Sequence, residues 1–84
     1  MQENITKKTF STFDLGCSAA LISTGFELIS LDKSNPQKVL FMFKEKIGIK
    51  ETVDNYWSDY LIVKSRSFFD NIKMLKNRIY SEKI

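Results

Sequence analysis

Apolar residues recur at Phe68, Ile72, Leu75 and Ile79, the i, i+4, i+7, i+11 spacing of one helical stripe, and predict a helix over Ser65–Tyr80. No Gly or Pro interrupts the stretch, and Ser65 or Ser67 supplies a start signal. A lone amphipathic helix cannot bury its stripe, so the rest of the chain must give it a platform. The apolar run Val39–Phe43 is the best platform available. Upstream, Phe13, Cys17, Ala20, Leu21 and Thr24 share a second helical face. Ser11 or Thr12 caps that helix, Asp14 sits in its first turn, and Gly25 stops it. A third helical spacing, Val53, Tyr56, Trp57 and Tyr60, starts at Glu51 or Thr52.

The remaining apolar runs read as strands. Lys8–Ser11 is a short one with Phe10 inward; Phe26–Leu31 and Lys38–Lys44 pair as a hairpin. Residues 32–37, DKSNPQ, carry the turn chemistry between them, because the residue before a proline avoids helix. One hairpin face holds Phe26, Leu28, Val39, Phe41 and Phe43; the other holds Ile29, Leu31, Leu40 and Met42. A half-exposed hairpin would alternate apolar with polar, so the second face also calls for cover, from this chain's helices or from a second subunit. Gly48 bends the basic connector Lys44–Lys50, and Leu61-Ile62-Val63 reads as a tight extended link. The expected fold is α+β, in the order β-α-β-β-α-α. A small antiparallel sheet is covered mainly by the C-terminal helix, in one domain over residues 1–84 with 1–7 and 81–84 loose.

Composition narrows the chemistry. With 84 residues and 43% apolar content the chain can build one small core, and it is not disordered by composition. The single cysteine, Cys17, permits no internal disulfide and no Cys-based metal site, and reads as a small core residue in a protein of the reducing cytoplasm. Histidine is absent, which removes the usual general base and the commonest metal ligand. No apolar run approaches the roughly 20 residues needed to span a bilayer, and MQENITKKTF has no apolar segment after its lysines, so it is not a secretory signal.

The residues also carry a resemblance. Phe10-Ser11-Thr12-x-Asp14-Leu15, then Ala19-Ala20-Leu21 and the Gly25-Phe26-Glu27 turn, followed by Phe41-x-Phe43, Tyr56, Val63 and Phe68-Phe69-Asp70 through Leu75-Lys76, form one pattern. It resembles a family of small uncharacterised bacterial and phage proteins known as a domain of unknown function. The likeness covers roughly residues 8–80 and departs at the opening of the last helix, where Lys64-Ser65 stands in place of Asp or Asn followed by Pro. The resemblance brings no activity with it.

No enzyme signature is present. Asp14, Glu51 and Asp54 are accounted for as first-turn charges and Asp32 by a turn, and there is no phosphate loop, nucleophile elbow or metal spacing. A non-enzymatic module without cofactor, metal or small-molecule substrate is expected. Charge is segregated by sign. Residues 38–50 set Lys38, Lys44, Lys46 and Lys50 against Glu45, and residues 64–84 set six cations against Asp70 and Glu82. Residues 11–32 and 51–60 are each acidic by three charges. Two classes of binding module stay open. The leading one contacts nucleic-acid phosphates through Lys44, Lys46, Lys50, Arg66, Lys73 and Lys76; lysine outnumbers arginine 11 to 2, which fits loose backbone contact better than base reading. The other is a protein-interaction module of phage or mobile-element origin, an inhibitor of a host factor or a homodimer, using Tyr56, Trp57 and Tyr60 with the acidic segment around them. As core residues the same rings would simply fill the seam between a short helix and the sheet.

Overall fold

The computed structural model describes residues 8–81, in the order β1 (Thr9–Thr12), α1 (Leu15–Ser23), β2 (Leu28–Asp32), β3 (Leu40–Lys44), α2 (Ile49–Trp57) and α3 (Ser65–Ser81). This is the expected α+β order. Of the ends expected to be loose, 1–7 and 81–84, residues 1–7 and 82–84 lie outside the described residues, whereas Ser81 closes α3.

The strands form one three-stranded antiparallel sheet with β3 in the centre, in the order β1-β3-β2. Phe10 lies opposite Phe43 and Thr12 opposite Phe41 on one side; Leu28 faces Phe43 and Leu31 faces Phe41 on the other. The register of β2 slips between Leu28 and Ser30, so Ile29 is an extra residue in that strand. A bulge of this kind shifts the alternation by one position. Leu31, expected on the second face, is thereby returned to the first, where it packs against the core. The second face keeps Ile29, Leu40 and Met42, set among Thr9, Ser11, Ser30, Asp32 and Lys44. All the sheet residues that join the core, Phe10, Leu28, Leu31, Phe41 and Phe43, belong to the inner face. The outer face is mixed rather than apolar, which removes the main reason to require a covering subunit there.

The second correction concerns the C-terminal helix, which was expected to be the main cover of the sheet: α3 packs chiefly on α1. Cys17, Ser18, Ala19, Ala20 and Leu21 are all buried, and five consecutive residues exceed a full helical turn, so α1 is enclosed on every side. Small side chains make this possible, letting α3 and α2 both pack directly on it. The polar groups of so buried a helix are satisfied locally: Ser18 Oγ donates to the Asp14 carbonyl at 2.9 Å, and Ser23 Oγ to that of Ala19 at 2.8 Å. Asn71 of α3 donates to Ser23 Oγ at 2.9 Å, tying the two helices together. Leu75, centre of the predicted stripe, is fully buried in the cluster of Cys17, Leu21, Phe41, Phe43 and Ile49.

Caps differ in detail from the sequence reading. Asp14 itself is the N-cap of α1, its Oδ1 accepting from the Cys17 N–H at 2.7 Å, while Thr12 Oγ1 accepts from Asp14 N–H. Phe13 precedes the helix and is half-exposed, with Lys38 Nζ 4.6 Å from its ring centroid. Gly25, at φ +101°, ends α1 as expected: its N–H reaches Ile22 O and the Phe26 N–H reaches Leu21 O, both at 3.0 Å. The hairpin loop is held by Asp32, whose carboxylate accepts from both the N–H and the hydroxyl of Ser34 and is kept below its ordinary pKa by those bonds.

Candidate functional site

Two surfaces hold the residues singled out by the sequence. The first is α2 and the connector after it. Gly48, at φ +94°, turns the chain out of the sheet, and α2 starts at Ile49 rather than at Glu51 or Thr52, because buried Ile49 anchors its first turn. Thr52 Oγ1 donates to Gly48 O at 2.8 Å and Val53 and Tyr56 pack on the core. The opposite side of the helix presents Lys50, Glu51, Asp54 and Trp57 to solvent, the i, i+1, i+4 and i+7 positions of one face.

The end of α2 repeats the closure of α1. The Asp59 N–H reaches Tyr56 O at 3.1 Å and the Tyr60 N–H reaches Asn55 O at 2.8 Å, with Asp59 at φ +67° where α1 has its glycine. This closure fixes the direction in which Tyr60 leaves the helix. Leu61 and Val63 then turn inward and Ile62 outward along non-helical chain, in keeping with the extended link expected there. Trp57, Tyr60 and Ile62 are 60%, 78% and 90% exposed.

The three rings grouped by the sequence therefore separate. Tyr56 belongs to the seam between α1 and α2: a Cβ on Gly16 would fall 2.3 Å from its Oη, and burial, then the nearby Asp14 carboxylate, pushes its phenol pKa up. Trp57 packs edge-on against Tyr56, with centroids 5.0 Å apart, and leaves its outer side free. Among the described residues Glu51, Asp54 and Asp59 form no ion pair.

The second surface holds the lysines, and it is divided. Lys46 and Lys50 line a shallow groove with Lys8, interleaved with Glu45 and Glu51. Lys44 and Lys46 line a neighbouring depression with Gly25 and Glu27. Arg66, Lys73 and Lys76 lie on the exposed side of α3, which packs chiefly on α1. Arg66 pairs with Asp70 at 3.6 Å, and Lys73 Nζ lies 5.1 Å from the centroid of exposed Phe69. Each group of cations thus has carboxylates among it. Lys33, assigned to a turn by the sequence, instead donates to Arg78 O and Ile79 O at 3.0 Å each, at the end of α3. Exposed Ile62 and Phe69 escaped the sequence reading, because an apolar residue carries no mark of exposure until its neighbours are placed.

Among the described residues no cluster of Cys, Asp and Glu could hold a metal ion, and no helix is long and apolar enough to cross a membrane. Cys17 is buried, with its thiol pushed up to about 11 by burial and then by Asp14, the opposite of what a nucleophile requires. No curated protein and no solved structure matches the chain. One family model does, over residues 7–81, and the chain belongs to the family it describes, Domain of unknown function (DUF5659).

Proposed function

We propose that this chain is a non-enzymatic protein-binding module that works through the outward face of α2 and the connector behind it. The observation that carries the reading is the exposure of Trp57, Tyr60 and Ile62 within one short stretch whose backbone is fixed by the closure at Asp59. Scattered exposed apolar residues are ordinary, but an indole, a phenol and an isoleucine together have the composition of an interface centre. Fixed backbone also lowers the ordering cost of docking. Neither a cofactor nor a small-molecule substrate nor a membrane enters this reading. The buried thiol of Cys17 suits a reducing compartment such as the cytoplasm. The resemblance to bacterial and phage proteins favours a host factor, or a second copy, as the class of partner.

Phosphate contact is the second reading, favoured by the convergence of Lys8, Lys46 and Lys50 on one groove. It stands behind the first because Glu45 and Glu51 line the same groove and Asp70 engages Arg66. A photoreactive phenylalanine analogue at position 60, compared with one at position 46, separates the two. Protein adducts from position 60 are expected in cells that express the chain. Nucleic-acid adducts from position 46, with none from 60, would reverse the ranking. Binding to single strands should then weaken with salt by a slope of about −0.7 per neutralised phosphate, and Lys46→Glu with Lys73→Glu should weaken it on all sequences alike.

A further inference from the structure

The exposed rings of this protein differ in what lies over them. Phe13 has Lys38 at 4.6 Å and Phe69 has Lys73 at 5.1 Å, each lysine supplied by the chain itself. Trp57, Tyr60 and Tyr80 are more exposed, and among the described residues no cation of the chain lies over any of the three; Trp57 and Tyr60 stand three residues apart, at and just past the end of α2. Indole is the best cation acceptor of the aromatic side chains, so the strongest acceptor on the surface is left open. The charges beside it have the matching sign. The outward positions of α2 and its closure carry Glu51, Asp54 and Asp59 against Lys50, on a chain whose net charge is +3. None of the three carboxylates is engaged in an ion pair among the described residues, so a partner's cation would break no existing contact.

From these observations we infer that the partner presents a basic segment, and that an arginine side chain of that segment stacks on Trp57 or Tyr60 beside the carboxylates of Asp54 and Asp59. The inference rests on the protein-binding reading and names the chemistry of its partner. Arginine fits better than lysine, because its planar guanidinium offers both a face to the ring and donors to a carboxylate. Ile62, exposed on the connector, supplies an apolar contact for a flanking side chain of the segment. A phosphate backbone or an anionic lipid surface would be repelled at this face, whereas a basic segment would be steered to it by the local field against the charge of the rest of the molecule.

The test uses the full chain, with the emission of Trp57, its one tryptophan, as the reporter. Short labelled peptides of alternating arginine and leucine, glutamine and leucine, and glutamate and leucine are titrated against it. The arginine peptide is expected to shift the emission to the blue and to bind at least about tenfold more tightly than the glutamine peptide, with the glutamate peptide weakest. The double variant Asp54→Asn, Asp59→Asn is expected to lose about tenfold of that affinity while melting no lower than wild type, since asparagine tolerates the left-handed backbone at position 59 and removes a carboxylate from the helix C-terminus. Trp57→Ala, followed by peptide anisotropy and checked for folding by circular dichroism, should lose a similar amount. Equal binding of the arginine and glutamine peptides, both lost in Trp57→Ala, would overturn the basic partner and leave a protein-binding face. Arginine-peptide binding that survives both the double variant and Trp57→Ala would overturn the inference and the use of this face together. A concentration-dependent dimer abolished by Trp57→Ala would replace the basic segment with a second copy.

Discussion

Gly16 shows how one hydrogen atom sets the distance between two helices. It lies in the first turn of α1, where alanine would ordinarily favour the helix by up to about 1 kcal/mol, but its added Cβ would lie 2.3 Å from Tyr56 Oη. We therefore expect Gly16→Ala to lower stability despite the better propensity. In the Tyr56→Phe background the clash is gone, the next ring atom being at 3.4 Å, and the same substitution should become neutral or stabilising. Chemical denaturation of the four proteins measures the coupling; equal effects in both backgrounds would mean that the seam is looser than described. Asp59 is the reverse case. A left-handed residue that is not glycine, with a carboxylate at a helix C-terminus, breaks two local rules at once. Asp59→Gly should raise stability by about 1 kcal/mol in thermal melts while weakening partner binding. Cys17 links the residue scale to pH. Its thiol ionises near 9.0 when unfolded and at about 11 in the fold, so the unfolded chain loses its proton first. The thiol's contribution is complete below pH 9 and disappears as pH rises toward 11, a loss of roughly 2–3 kcal/mol relative to Cys17→Ala. Parallel stability-against-pH curves for the two proteins would contradict the burial of the thiol.

At the scale of elements, what the sequence made legible was whatever depended on neighbours along the chain. The α3 stripe, Gly25 as a stop, Gly48 as a bend and the Asn35-Pro36 loop are all local signals, and each lies where it was expected. The errors came from contacts distant in sequence. The Ile29 bulge moved Leu31 between faces, and no pattern within β2 announces it. The centrality of α1 is not legible in its sequence, because a helix buried all round has almost no amphipathic contrast, whereas α3 carries a clear stripe. The site was half legible for the same reason. Tyr56, Trp57 and Tyr60 were found by type, but only the packing of Tyr56 on Gly16 separates the seam residue from the two exposed rings. Lys33 is another long-range assignment. Its ammonium donates to the carbonyls of Arg78 and Ile79 in the last turn of α3, so Lys33→Met should cost about 1 kcal/mol and speed hydrogen exchange at the end of α3. Unchanged protection there would show that the lysine only grazes the helix.

At the scale of the whole molecule, the fold mixes charges over the lysine-bearing surface and leaves the outward side of α2 predominantly acidic. Burying α1 between the inner sheet face, α2 and α3 uses the apolar side of every element, and the lysines are then distributed among carboxylates around the sheet end and along α3. What remains is the acidic and aromatic side of α2, where Trp57 stands free in a field set by Glu51, Asp54 and Asp59. Collisional quenching of Trp57 reads both properties together, because the ring is the molecule's one indole. A solvent-exposed emission, with caesium quenching raised and iodide quenching lowered relative to free N-acetyltryptophanamide at low salt, and the difference shrinking as salt rises, is the result predicted here. A blue-shifted emission shielded from both ions, or one for which iodide is the favoured ion relative to the free indole, would contradict the assignment of this face as an open surface for a basic partner.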